Sequence, residues 1–410
     1  MRNKMSGKAN VFVNALVLIL ICMSSVLFAG QTVKQEAKIL WEKEIVFEPN
    51  SSSQPLALVA DDKNNEVILL GTSIHSNPKE DNNWLWIMDT DGNIKKKQSL
   101  GRASKFEGMA RALGAKAMLR LDDGTILKFN VSDESEPSRA SITTIDKNFQ
   151  SSTAKMFSWT RGVKIRDWTA LKNDKLIFVG QSPDSNGIVL ETDLAGKMIW
   201  QKTFDKGQTE ILSSIAISPD GNDFYVTATS VSLVDQTRLP DPPTVYVLMY
   251  DKNGEFKKSD SFEGGYSALL GITPKVICLP SGTVIVIYDN TKKGVSTGLY
   301  LKAYTPELKT IIEKQILITK EKSPPNLFDI CTTEKNHFVL AAEVNGLDLS
   351  VFECDSDGAI LQTLERKRTI GGGGRVFANY LAGKIFLTFA SALKDNERDN
   401  KIKLLAIKPY

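Results

Sequence analysis

The sequence predicts an all-β fold, a ring of seven four-stranded antiparallel sheets. Three observations predict it. A turn of the form Asp-x-x-Gly recurs along the chain between two runs of strand character. The copies stand 47 to 58 residues apart, the length of one four-stranded unit. The last unit lacks its fourth strand, and the front of the chain carries a spare one.

The chain has 410 residues, and the first thirty stand apart from this pattern. Arg2, Lys4 and Lys8 precede an apolar run, "VFVNALVLILICMSSVLFAG", that ends in small residues. That is the layout of a secretory signal peptide cleaved after Ala29 or Gly30. The competing reading is an uncleaved signal anchor, since about 20 apolar residues can span a bilayer. The expectation is therefore export, to the periplasm or outside the cell, with membrane attachment only if the segment is retained.

Charge follows the same boundary. Three of the 51 basic residues and none of the 48 acidic ones lie in the first thirty, so the rest of the chain is balanced. A nucleic-acid partner, which needs a dense basic surface, is not expected. Cys278, Cys331 and Cys354 are too few for a disulfide framework and read as buried free thiols.

The units can be justified in order. The turns begin at Asp89, Asp146, Asp193, Asp251, Thr305 and Asp355. Before each comes an apolar strand, such as "NWLWIMD" or "TVYVLMYD", in which Trp84 and Trp86 read as core. After each comes a more polar, lysine-rich strand, such as "IKKKQSL" or "FKKSDSF", suited to an outer rim where lysine discourages edge pairing. Asp bonds the backbone of its own turn and Gly accepts a positive φ, so the motif is hairpin chemistry. A calcium loop of the helix-loop-helix type would need Gly in the sixth place and a following bidentate Glu. Here Gly is fourth, and the copies at Asp146 and Thr305 keep the turn while losing the other carboxylates. No metal or other cofactor is expected.

Two further strands precede each turn, as in "SSIAISPDGNDFYVTATS", so the unit is four strands, a to d. The final unit runs "GGGGRVFANYL", "GKIFLTFAS" and "NKIKLLAIKPY" and has no d strand. "AKILWEKEIVF" near the front matches the d strand "GKMIWQKTF". The N-terminal strand is thus expected to complete the last sheet and close the ring. The result is a seven-bladed β-propeller, one domain over residues 37–410.

The repeats resemble those of secreted bacterial and archaeal β-propellers with the pattern D-x-x-G-x-x-x-W-x-K-x-F after an apolar c strand. The pattern is structural, so the resemblance implies fold and says little of function. Neither Trp-Asp repeat ends nor paired kelch glycines recur along the sequence, and the sialidase Asp box does not appear.

Function is expected on the face that carries the long b–c and d–a connections, because long loops on a rigid scaffold are where binding concentrates. There "FSWTRGVKIRDWTAL" sets Trp159 and Trp168 beside Arg161 and Arg166, a combination suited to stacking on sugars and gripping carboxylates. Arg375, after the glycine run 371–374, lies in another d–a connection. The competing reading packs Trp168 between blades and pairs the arginines with local acids. No catalytic residue is assigned. His75 and His337 fall on opposite faces, which separates them. The expectation is an exported, monomeric, non-catalytic binding or scaffolding propeller for a protein or glycan ligand. The alternative is an enzyme cutting glycans or other extracellular polymers through paired carboxylates, such as Asp81, Asp235 or Asp395.

Overall fold

The computed structural model describes residues 35–410, apart from 78, 103–115, 133–138, 153–154, 158–161, 172–174, 233–242, 266–273, 293–294, 319–325, 345–347, 368–375 and 392–400. The proposed signal segment lies outside the described residues.

Seven antiparallel sheets form the molecule. Blade 1 comprises Ser52–Asp61, Glu66–Ile74, Asn82–Asp89 and Ile94–Arg102. Blade 2 comprises Met118–Arg120, Ile126–Ser132, Arg139–Ile145 and Lys155–Met156. Blade 3 comprises Lys164–Leu171, Lys175–Gln181, Gly187–Asp193 and Met198–Phe204. Blade 4 comprises Thr209–Ile217, Asp223–Val231, Thr244–Asp251 and Phe256–Glu263. Blade 5 comprises Lys275–Cys278, Val284–Lys292, Val295–Tyr304 and Thr310–Ile318. Blade 6 comprises Asn326–Thr332, Phe338–Val344, Asp348–Cys354 and Ile360–Lys367. Blade 7 takes Val376–Leu381, Lys384–Ser391 and Lys401–Ile407 from the C-terminal end.

Its fourth strand is β2 (Ile39–Ile45), which runs antiparallel to Lys401–Ile407 with Ile39 opposite Ile407. The N-terminal strand closes the ring, as the repeat count predicts. Ion pairs line this seam: Glu44 with Lys401 and Lys403, and Glu42 with Lys403 and with Arg366 of blade 6. A short strand, β1 (Gln35–Glu36), has no counterpart in the sequence reading. It adds to the outer edge of blade 6, parallel to Ile360–Lys367.

Apolar residues bury themselves between neighbouring blades, in seven clusters for seven interfaces. The alternation of the strands explains this. Residues two apart share a sheet face, so Ile177 and Val179 face blade 4 while Leu176 and Phe178 face blade 2. Both faces of a blade are therefore core, and the b and c strands read as continuous apolar runs.

The recurrent motif proves to be a coupling between blades. In its turn, Oδ1 of Asp251 accepts the backbone N–H groups of Asn253 and Glu255, and Gly254 adopts a φ of 80°. The Asp89 turn is built the same way, with Oδ2 also taking the amide of Asn93. The Trp of one blade then docks on the Gly of the next blade's turn: Trp41 on Gly92 and Trp200 on Gly254. The indole of Trp41 donates to the carbonyl of Thr90 at 3.1 Å. Lysines of the d strands make the same crossing. Lys43 reaches the carbonyl of Gly92, Lys96 that of Asn148, and Lys258 those of Glu307 and Leu308. The lysine rim that the sequence assigns to edge protection thus also fastens blade 7 to 1, blade 1 to 2 and blade 4 to 5.

Candidate functional site

The a strands of all seven blades line a central cavity of about 540 Å³. Such strands should present small or apolar residues to their neighbours, yet several carry charge. Asp167 and Asp329 are the clearest cases. Each sits just after a β-bulge, between Ile165 and Asp167 in blade 3 and between Leu327 and Asp329 in blade 6. A bulge turns a side chain out of the regular alternation, which is how a carboxylate enters an otherwise apolar strand.

Both carboxylates bridge blades. Oδ1 of Asp167 accepts the N–H of Trp168 at 2.8 Å, and Oδ2 accepts the N–H of Ile215 from blade 4 at 3.1 Å. The hydroxyl of Ser214 also donates to Oδ2, at 3.3 Å. Asp329 repeats the design, taking the N–H of Ile330 and, across the interface, that of Ala378 in blade 7, both at 2.9 Å. In blade 4 the equivalent role falls to Ser214, whose Oγ accepts the N–H of Val276.

Two lysines join these acids at the waist of the channel. Nζ of Lys116 lies 3.4 Å from Oδ1 of Asp167, with its side chain about half exposed. Burial pushes the Asp329 carboxyl above the ordinary carboxylate value. The N–H of Ala378 and the charges of Lys275 and Lys116 oppose that shift without cancelling it. Both lysines therefore exert their field on the same carboxylate. Toward the a–b turns, Arg120 of blade 2 pairs with Asp61 of blade 1 at 2.7 Å. Cys278 and Cys331 also line the channel as free, half-buried thiols. Burial pushes Cys278 up to about 12 and Cys331 well above the ordinary thiol value, which suppresses the thiolate.

The residues singled out from sequence are placed as follows. Trp168 is wholly buried between blades 2 and 3, stacked on Phe178 at 5.7 Å, and its indole donates to the carbonyl of Lys116 at 2.6 Å. Arg166 is 4 % exposed, and burial lowers the pKa of its guanidinium. The packed reading of Trp168 is the one the structure adopts. Trp159, Arg161 and Arg375 lie outside the described residues, as do Asp235 and Asp395. Asp81 accepts the backbone N–H of His75 at 2.8 Å.

The histidines are apart, each on its own carboxylate. Nε2 of His75 lies 2.5 Å from Oε2 of Glu48, which also accepts from Ser73, while Oε1 accepts from Asn82. Nδ1 of His337 lies 2.9 Å from Oε1 of Glu353.

Sequence reasoning missed Lys116, Asp167, Lys275 and Asp329. A signal was present: "KIRDWTAL" and "NLFDICTT" both place Asp inside an a strand, in the same position relative to the apolar residue that follows.

No protein-family model and no curated protein matches the chain. Among solved structures, the chain is similar to the β-propeller domain of the Trilobed protease from Pyrococcus furiosus, at 10% identity and a TM-score of 0.47, covering 86% of this chain and 93% of that one. It is similar to puromycin hydrolase at 12% identity and a TM-score of 0.49, covering 82% of this chain and 50% of that one. A protein of unknown function from Dyadobacter fermentans gives 12% identity and a TM-score of 0.44, with coverages of 91% and 99%. Likeness at this level carries no functional argument.

Proposed function

We propose that the protein is an exported propeller that binds a protein or glycan ligand without transforming it, at the mouth of the central channel. One observation carries the non-catalytic part. Among the described residues near the channel, the buried carboxylates and thiols are committed to holding the fold. Asp167 and Asp329 spend their oxygens on backbone N–H groups of adjacent blades. Asp81 holds the backbone of His75, and both imidazoles sit on glutamates. The channel thiols are kept protonated by burial. A general base needs an available lone pair within reach of substrate, and these groups are not arranged to offer one.

Trp159, Arg161 and Arg375 are the proposed contacts at the mouth. Arg166 and Trp168 would instead anchor the segment, since both are buried. Export rests on the N-terminal segment. It is tested by sequencing the N-terminus of the mature protein, which should begin at Gly30 or Gln31.

Binding is tested with a glycan array and a panel of envelope proteins, followed by titration of the best ligand. Arg161→Ala combined with Arg375→Ala should weaken binding at least fivefold and leave the melting temperature within a few degrees. The recovered ligand should be chemically intact. Release of new reducing ends or peptide ends, abolished by Asp81→Asn, would replace this reading with the enzymatic one.

A further inference from the structure

We propose that the waist of the channel captures the C-terminal carboxylate of an apolar peptide tail, with Lys116 and Lys275 as its anion-binding pair. This rests on the binding reading above and names the chemical class of the ligand.

The argument starts from the lysines. An ammonium carries three N–H donors. Lys116 can keep its contact with Asp167 and still direct donors toward the channel axis, and Lys275 lines the same cavity from blade 5. Asp167 and Asp329 are fixed by two backbone N–H groups each, so they are rigid posts in the cavity wall, and Asp167 orients the tip of Lys116. Lys116 sits at 3.4 Å from Asp167, a loose contact that leaves its half-exposed tip room to turn toward a second oxyanion.

The rest of the lining selects the body of the ligand. Leu119, Ile217, Ile277 and Ile330 line the cavity where they pack on the blade interfaces, and each is only half-buried, so apolar surface there remains to be covered. A peptide tail with branched or aromatic side chains would cover it. A glycan would want flat aromatic platforms, and Phe377 is the single aromatic among the described lining residues. A cavity of about 540 Å³ is within the ordinary range for a bound ligand of this size. Capture of a chain-end carboxylate by converging donors is an established mode of peptide recognition.

The test uses the exported protein and a pool of fluorescent hexapeptides ending in Val, Leu, Ile or Phe, as free acids and as C-terminal amides. Fluorescence anisotropy should find the acid pool bound at least tenfold more tightly than the amide pool. Lys116→Gln with Lys275→Gln should reduce acid binding at least tenfold, with an unchanged melting temperature. Lys→Arg at the same positions should restore part of it. Equal binding of acid and amide overturns the proposal while leaving the broader binding reading standing. So does undiminished binding by the Gln variant, or competition by uronate oligosaccharides with no peptide binding. Failure of every peptide to bind at millimolar concentration also overturns it. If the Gln variant does not fold, the acid-to-amide ratio of the wild-type protein decides alone. The broader reading fails separately, when neither the glycan array nor the protein panel yields a ligand.

Discussion

At the scale of single residues, the turn glycines carry two constraints at once. Gly254 has a φ of 80°, and a Cβ there would stand 2.5 Å from the indole of Trp200. Gly92 has a φ of 75° and the same relation to Trp41, at 2.7 Å. Strain in the left-handed region and overpacking each cost about 1–3 kcal/mol. Gly254→Ala should therefore lower stability by roughly 2–4 kcal/mol, read from the urea midpoint. A change within error would mean that the Trp–Gly contact is slack. The turn aspartates set the response to acid. Burial alone would raise Asp251, but the N–H donors of Glu255 and Asn253 outweigh it and hold the carboxyl below its ordinary value. Asp89 is lowered likewise, by Asn93 and Asp91. A depressed folded pKa means stability that is full above the unfolded value, near 3.9, and lost as pH falls through the folded value. The urea midpoint should thus fall below about pH 4, and Asp89→Asn with Asp251→Asn should flatten that fall. Because these oxygens are already occupied by N–H groups, millimolar calcium should leave the melting temperature unmoved.

At the scale of elements, β2 is the clasp. It supplies the fourth strand of blade 7, the Trp41 dock on blade 1 and the acids of the seam. Hydrogen bonds from Lys401 and Lys403 hold the Glu44 carboxyl below its usual range. Deleting residues 31–48 should destabilise the whole ring in a single transition, followed by far-ultraviolet dichroism on heating. Wild-type-like melting of the truncated chain would remove β2 from that role. Trp41→Ala should cost about 2–3 kcal/mol, less than a fully buried tryptophan because the ring is half-exposed. This element was legible in sequence because its Trp-x-Lys spacing copies that of Trp200 and Lys202. β1 was not legible. Two residues of pairing in "QE" carry no alternation, and a parallel addition at a sheet edge leaves no turn signal.

At the scale of the whole molecule, the ring was readable because one turn recurs at a near-constant interval, and in blades 1, 3 and 4 it comes complete: an Asp that closes the turn, a Gly that permits it, and an aromatic from the preceding blade. The channel was less readable. Its charged residues come from a strands of different blades, and only closure of the ring gathers Lys116, Asp167, Lys275 and Asp329 around one axis. Nothing local in "AKAMLRL" or "PKVICLP" says that their lysines serve the same space. Trp168 stood open between two readings for a related reason. Beside two arginines it resembles a ligand platform, but in the a strand of blade 3 it enters the blade interface, where Phe178 and the carbonyl of Lys116 fix it.

The seam at blade 7 also sets the timing of folding. Lys401 and Glu44, which meet there, are 357 residues apart along the chain. Closing a loop of that length costs on the order of 5 kcal/mol in chain entropy, and the contact cannot form until residues 401–407 have been synthesised. Through most of translation β2 has no partner, and contacts of such separation make folding slow. The geometry offers a remedy, since the N–H of Lys408 donates to the carbonyl of Lys38 at 2.9 Å. A permuted chain that begins at Glu48 and carries residues 37–47 after Tyr410 through a short linker would turn the seam into a local hairpin. Stopped-flow refolding of that permutant should be at least tenfold faster than wild type, with native blades intact. Equal rates would place the slow step of folding inside the blades rather than at their closure.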